Sequence, residues 1–117
     1  MRWAWIMGGL HGLVGSTILF ATLHPLRDML DAHALELARV GSATEAVQGI
    51  ALLVLSRAAA GPWAAALIAA GTTAWTAMLY FIIFTGRHPF DELVPIGGMV
   101  MTAGWLTLLA LPTRPTS

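Results

Sequence analysis

The chain has 117 residues, of which 57% are hydrophobic and only 10% charged, against roughly 25% charged in an ordinary soluble domain. Six arginines balance six acids and lysine is absent, so no basic surface can neutralise a run of phosphates and nucleic-acid binding is excluded. Cysteine is absent as well, which removes disulfides, thiolate metal sites, iron–sulfur clusters and cysteine nucleophiles.

A helix rises about 1.5 Å per residue and the hydrocarbon core is roughly 30 Å thick, so one crossing takes about 20 apolar residues. Four such stretches fit, over residues 3–23, 43–60, 62–85 and 95–111. The expected fold is all-α, an integral membrane four-helix bundle making one transmembrane domain. Arg2 ahead of the first apolar run resembles a signal peptide, but the run is too long and lacks a small-x-small cleavage site before Pro25, so it is read as a retained span. Trp3 and Trp5 are expected to anchor it at the headgroup boundary. Gly8, His11, Gly12 and Gly15 fall within about 100° of one another on a helix and form one Gly-rich stripe, which turns His11 toward protein rather than lipid.

From Pro25 to Val40, Leu26, Met29, Leu30, Leu37 and Val40 recur at near-helical spacing, with Arg27, Asp28, Asp31, Glu36 and Arg39 mostly opposite. This predicts an amphipathic segment lying in the interface between helices 1 and 2. His24 and His33 cluster there with Asp28 and Asp31, yet no spacing repeats a known ligand motif, so solvation at the interface is expected and no metal. Ser42-Ala43-Thr44-Glu45 has the spacing of a capping box, and Gly41 before it suits the end of the preceding segment. Gly61-Pro62 marks a stop followed by proline at a first helical position, Gly86 closes the third span, and Pro95 opens the fourth. Ala66, Ala70 and Ala74 in the third span and Gly97, Gly98 and Gly104 in the fourth give small-residue faces for helix packing. Trp63 is expected at the headgroup boundary like Trp3 and Trp5, whereas mid-span Trp75 and Trp105 are candidates for contact with another helix or a partner.

Loop charges set the topology. The side holding the termini and the 55–62 turn carries Arg2, Arg57 and Arg114, and the other side carries Arg27, Arg39 and Arg87. All six acids fall on that second side, which tips the arginine tie toward cytoplasmic termini.

Candidate chemistry is sparse. With Glu45 read as a cap, no acid lies deep in a span, which removes the usual proton-coupling carboxylate of a small transporter. There is no Gly-x-Ser-x-Gly elbow, His-Glu-x-x-His pair, phosphate loop or dinucleotide fingerprint, and no enzymatic activity is expected. Gln48, Thr72, Thr73, Thr76, Tyr80 and Thr102 form a modest polar seam suited to interhelical hydrogen bonds. His11, His24, Gln48 and Tyr80 are the candidate ligand or polar positions. Haem at His11 would need a second axial residue at matching depth; no other histidine lies inside a span, leaving Met7, Met78, Met99, Met101 or a partner's residue. A neutral His11 bonded to a neighbouring helix is the preferred reading, with no cofactor.

Leu79-Tyr80, Thr85-Gly86, Pro95-Ile96-Gly97-Gly98 and Gly104-Trp105, in that order and spacing, resemble the uncharacterised small membrane proteins of the bacterial YgdD type over about residues 15 to 111. Pro25 stands where that family usually has Gly after its His, and Gln48 where it usually has a second His, so a two-histidine site would be half lost here. The resemblance implies a four-span membrane protein and carries no activity.

Together these readings lead to a non-enzymatic protein of the bacterial inner membrane. It would pack as an accessory or stabilising subunit against a larger membrane complex or as a homo-oligomer. The alternatives are a haem- or quinone-binding anchor of a redox complex and a small channel or transporter.

Overall fold

Two glycines with left-handed backbone, Gly61 (φ 99°) and Gly86 (φ 70°), delimit the longest uninterrupted apolar helix, because L side chains are strained there and the helix stops. In the computed structural model, which describes residues 1–58 and 61–111, that helix is α4 (Pro62–Thr85), preceded by α1 (Arg2–Ala21), α2 (Pro25–Met29) and α3 (Ala32–Arg57) and followed by α5 (Val94–Ala110). No strand occurs among the described residues. Helices α1, α3 and α4 are long and apolar enough to cross a membrane, and α5 is a shorter apolar helix of 17 residues. Arg114 and the polar tail 112–117, counted on the terminal side of the topology, lie outside the described residues, as does the end of the stretch 43–60.

The main correction concerns the start of α3. Its cap is Asp31, whose side chain accepts from the Ala34 N–H at 2.7 Å, and the helix then runs unbroken to Arg57. The interfacial segment expected over Pro25–Val40 is therefore divided: Pro25–Met29 is the short helix α2, and residues 32–40 are the first turns of α3. Ser42-Ala43-Thr44-Glu45 caps nothing. The Ser42 hydroxyl donates to the Ala38 carbonyl within the helix, and Glu45 is 2% exposed near the helix midpoint. Gly41 is not a helix end either; it is buried mid-helix against the Leu79 side chain.

Two antiparallel helix pairs form the body, α1 with α3 and α4 with α5, joined by α3 against α4. Both pairs approach backbone to backbone. A Cβ on Gly8 would lie 2.8 Å from the Gly49 carbonyl oxygen, and one on Gly15 would lie 2.8 Å from that of Ser42. In the second pair, a Cβ on Gly71 would collide with the Met101 backbone, and one on Gly97 would sit 2.9 Å from the Trp75 nitrogen. Such approach is the usual means of joining helices whose surfaces gain nothing by leaving lipid.

Other small residues sit differently from expectation. A Cβ on Gly12 would meet nothing, although the Gly12 backbone is part of the seam, since a Cβ on Gly49 would lie 2.8 Å from its nitrogen; one on Gly98 would make only ordinary contact with the Trp75 ring, whereas Gly104 is pressed on Ile68. The Ala66-Ala70-Ala74 stripe does not join helices within the chain. Ala70 and Ala74 are exposed and Ala66 half-buried, and the face of α4 turned inward carries Ala64, Ala65, Ile68, Gly71 and Thr72 instead.

The apolar core is split in two along the bundle. Leu52, Leu55, Ala65, Ile68 and Ala69 fill the half nearer the N-terminal end of α1, and Ala38, Leu79 and Ile83 fill the other half. Between them the inward positions of α3 and α4 are polar.

Candidate functional site: a polar knot at mid-depth

Helix register explains why that gap is polar. On α3, Gly41, Glu45, Gln48, Leu52 and Leu55 recur every three or four residues and share the buried face, as the 3.6-residue period requires. His11 lies near the midpoint of α1, Glu45 near that of α3 and Thr73 near that of α4. Because the three helices pack side by side, these midpoints meet.

Glu45 is the hub. His11 Nδ1 lies 2.7 Å from Glu45 Oε2, and the Tyr80 hydroxyl donates to Oε1 at 2.6 Å. The far side of the imidazole, Nε2, lies 3.0 Å from Thr73 Oγ1. Three helices are thus tied by one continuous chain of hydrogen bonds, Thr73–His11–Glu45–Tyr80. His11 is 7% exposed, Tyr80 is half-buried and Thr73 is exposed, so the chain runs from an outer face through the centre of the bundle. Among the described residues no buried side-chain polar atom lacks a partner.

Electrostatics constrain the proton count. A net charge buried this deep is expensive, whereas a carboxyl and an imidazole sharing one proton are neutral together. That proton rests on His11, which then donates Nδ1–H to the Glu45 carboxylate, or on Glu45 Oε2, which then donates to Nδ1. In both states Nε2–H donates to Thr73. The donor role of Nε2–H is assigned from this neutrality and bonding pattern.

One turn along α3, Gln48 makes a separate tie: the Trp105 indole N–H donates to its Oε1 at 2.7 Å, linking α5 to α3. Thr72 donates to Met101 Sδ at 3.3 Å, and Thr76 and Thr102 only bond back along their own helices. The candidate set of His11, His24, Gln48 and Tyr80 is therefore only partly assembled. His11 and Tyr80 meet through Glu45, Gln48 lies beside them with Trp105, and His24 stands exposed at the start of α2. His33 is likewise exposed in the first turn of α3, and His88 pairs with Asp91 at 3.3 Å on the surface.

Sequence reasoning missed Glu45 as a member of the site and placed Thr73 only in the polar seam for interhelical hydrogen bonds, where it does meet His11. The signal available was the Gly41, Glu45, Gln48, Leu52 periodicity, which marks Glu45 as a residue inside a buried helix face rather than before it. The expectation that no acid lies deep in a span is overturned, and only five acids remain at the end opposite Arg2 and Arg57.

The outer end of the knot opens on a groove of about 700 Å³ between α1 and α4. Trp3, Met7, Ala66, Ala70, Thr73 and Ala74 are among its lining residues, and Thr73 is the polar one of these. The interface anchors Trp3, Trp5 and Trp63 all lie at one end of the bundle and are 42%, 43% and 77% exposed. Trp75 is half-buried against Gly97 and Gly98, and Trp105, a candidate for partner contact, spends its N–H inside the chain.

Comparison with known proteins gives the same outline. The chain is 25% identical over 109 residues to the UPF0382 membrane protein SAB0533 of Staphylococcus aureus (strain bovine RF122 / ET3-1), covering 89% of each. No solved structure matches it. Residues 20–98, which include Glu45, Gln48, Thr73 and Tyr80, match the family model described as protein of unknown function (DUF423), and the chain belongs to that family.

Proposed function

We propose that this protein is a non-enzymatic integral membrane protein of the bacterial inner membrane in which Thr73, His11, Glu45 and Tyr80 relay protons, as part of a small channel or transporter. Three helices long and apolar enough to cross and a relative described as a membrane protein support the location. With the arginines tied three to three, the five acids at the end opposite Arg2 and Arg57 support cytoplasmic termini, and the Leu-Tyr to Gly-Trp series supports the YgdD type. The observation that carries the function is the buried carboxyl at mid-depth, bonded on one side to an imidazole and on the other to a phenol.

Every member of this chain can both accept and release a proton. With the shared proton on Glu45 Oε2, transfer of the Tyr80 proton to Oε1 accompanies transfer of the Oε2 proton to His11 Nδ1. The Nε2 proton passes to Thr73 Oγ1 as the Thr73 hydroxyl proton passes to water entering the groove. A proton taken up from water by the Tyr80 oxygen restores the count, so one enters and one leaves. Turning of the protonated Glu45 carboxyl and of the His11 ring restores the starting donors. The ends are suitably placed: the groove reaches Thr73 from Trp3 at the Arg2 end, and Tyr80 stands five residues before Thr85 at the opposite end of α4, about 8 Å at helical rise.

Liposomes holding the purified protein and a pH-sensitive dye, driven by a valinomycin potassium potential, test the reading. Proton flux above that of empty liposomes is expected, falling to the empty-liposome level in Glu45→Gln and in Tyr80→Phe and unchanged in Gln48→Ala. A folded wild-type protein without flux, or full flux in Glu45→Gln, refutes it.

A second reading, association as an accessory subunit or with another copy, is favoured by the outward Ala66-Ala70-Ala74 groove, since lipid-facing positions usually carry larger side chains. The chain lacks cysteine, so Ala70→Cys reports directly. A disulfide-linked dimer in native membranes is expected if two copies meet there, and a persistent monomer removes the homo-oligomer. Haem ligation by His11 has less support, because both ring nitrogens are already bonded; quinone or haem would have to displace Thr73.

A further inference from the structure

At the end of the bundle where α1 begins and α3 finishes, a pocket of about 520 Å³ is lined by Arg2, Trp5, Ser56 and Arg57 together with Met1. The Arg57 guanidinium stands 5.1 Å from the centroid of the Trp5 ring. This cation–π contact restrains the long side chain at the mouth of the pocket. Both arginines are exposed, and among the described residues neither guanidinium makes a hydrogen bond or ion pair with a side chain.

Among the described residues no side-chain carboxylate stands near them. The sequence has no acid before Asp28 and none between Glu45 and Asp91, and Glu45 is committed to the knot at mid-depth. The first turn of α1 contains no acidic residue and its cap makes no side-chain bond, so the positive end of that helix faces the same pocket. Trp3 and Trp63 lie at this end too, half- to mostly exposed, as indoles at headgroup depth do. The opposite end differs: Arg27, Arg39 and Arg87 there share their surface with five acids.

We propose that this pocket binds the phosphate of an anionic lipid headgroup, with Arg2 and Arg57 as the binding residues and Trp5 positioning Arg57. Guanidinium forks match phosphate oxygens in pairs, and a basic site at headgroup depth draws anionic lipid from the adjoining leaflet. The assignment rests on the chain's place in a membrane and is independent of the proton relay.

The test is native mass spectrometry of the full chain released from nanodiscs of mixed phosphatidylglycerol and phosphatidylcholine. The wild type is expected to retain phosphatidylglycerol roughly tenfold over phosphatidylcholine, consistent with the charge-assisted bonds invoked. Arg2→Gln/Arg57→Gln is expected to lose that preference, Arg57→Lys to keep part of it and Arg87→Gln to keep it whole. Thermal melting of each variant shows that the fold persists, and Arg2→Gln alone serves if the double variant unfolds. Equal retention of the two lipids by the wild type, or an undiminished preference in the arginine variants, overturns the proposal. An added arm with inorganic phosphate separates the sources: displacement of bound lipid at millimolar phosphate reassigns the site to free phosphate and also overturns it.

Discussion

The two helix pairs are built on the same backbone device and differ in what else holds them. In the α1/α3 pair, Gly8, Gly15 and Gly49 let the backbones touch, and beside that seam His11 and Glu45 bond across it and on to α4. In the α4/α5 pair, Gly71, Gly97 and Gly104 do the same, but the side-chain ties are one hydroxyl to sulfur, Thr72 to Met101, and the indole of Trp105, which reaches past α4 to α3. Close packing suffices to join transmembrane helices; an ionisable group is not required for it. The buried pair in the first half is therefore an addition to a seam already closed by backbone contact, and an ionisable pair placed at such depth marks a candidate site.

If the second pair depends on contact alone, filling the contact should cost most. A leucine at Gly71 would place its Cβ on the backbone of Met101 and near the carbonyl of Gly97, neither of which can move without separating α4 from α5. Gly71→Leu is expected to destabilise by at least about 3 kcal/mol, the upper range for overpacking. Thermal melting in detergent, with loss of a monodisperse species on gel filtration, checks it. Unchanged melting would mean that the α4/α5 seam is looser than described.

The first pair should respond to charge instead. Glu45→Ala leaves buried His11 Nδ1 and the half-buried Tyr80 hydroxyl without their partner, an expected loss of about 3 kcal/mol by analogy with broken buried pairs. Glu45→Gln keeps an oxygen for Tyr80 and offers an N–H to His11 Nδ1, so its cost should be about 1 kcal/mol. A melting difference between these two variants measures the hydrogen bonds separately from the carboxyl's proton chemistry. Equal melting of both with wild type would show that the knot does not hold the helices.

The same contrast explains how far the sequence could be read. The limits of α4 and the start of α5 are legible because Gly61, Pro62, Gly86 and Pro95 act through local backbone geometry, which neighbours do not override. The start of α3 is not, because Ser42-Ala43-Thr44-Glu45 has the spacing of a cap while its residues are needed elsewhere: Ser42 bonds back to Ala38 and Glu45 across to two other helices. Asp31, the true cap, competed with a stretch of charges that suited an interface equally well. His11 was legible as protein-facing from its glycine neighbours, but Thr73 and Glu45 as its partners depend on the relative rotation of α1, α3 and α4, which no single-helix pattern contains. The Ala66-Ala70-Ala74 stripe illustrates the converse: small residues at spacing four mark a face fit for close approach without saying whether another part of the chain fills it.

The smallest expected effect tests the α1/α3 seam one residue at a time. Gly12 and Gly15 are one turn apart on α1, yet a Cβ on Gly12 would meet nothing within 4 Å, while one on Gly15 would lie 2.8 Å from the Ser42 carbonyl and the Ala46 nitrogen. In a helix interior alanine is preferred to glycine by about 0.5–1 kcal/mol, since glycine loses more backbone freedom on folding. Gly12→Ala should therefore raise the melting temperature slightly, and Gly15→Ala should lower it, because Ser42 and Ala46 meet it with backbone that cannot yield. Opposite signs from the same substitution would place the contact line on Gly8 and Gly15. Two changes of the same sign would mean that α1 is rotated relative to α3, and His11 would then no longer point at Glu45.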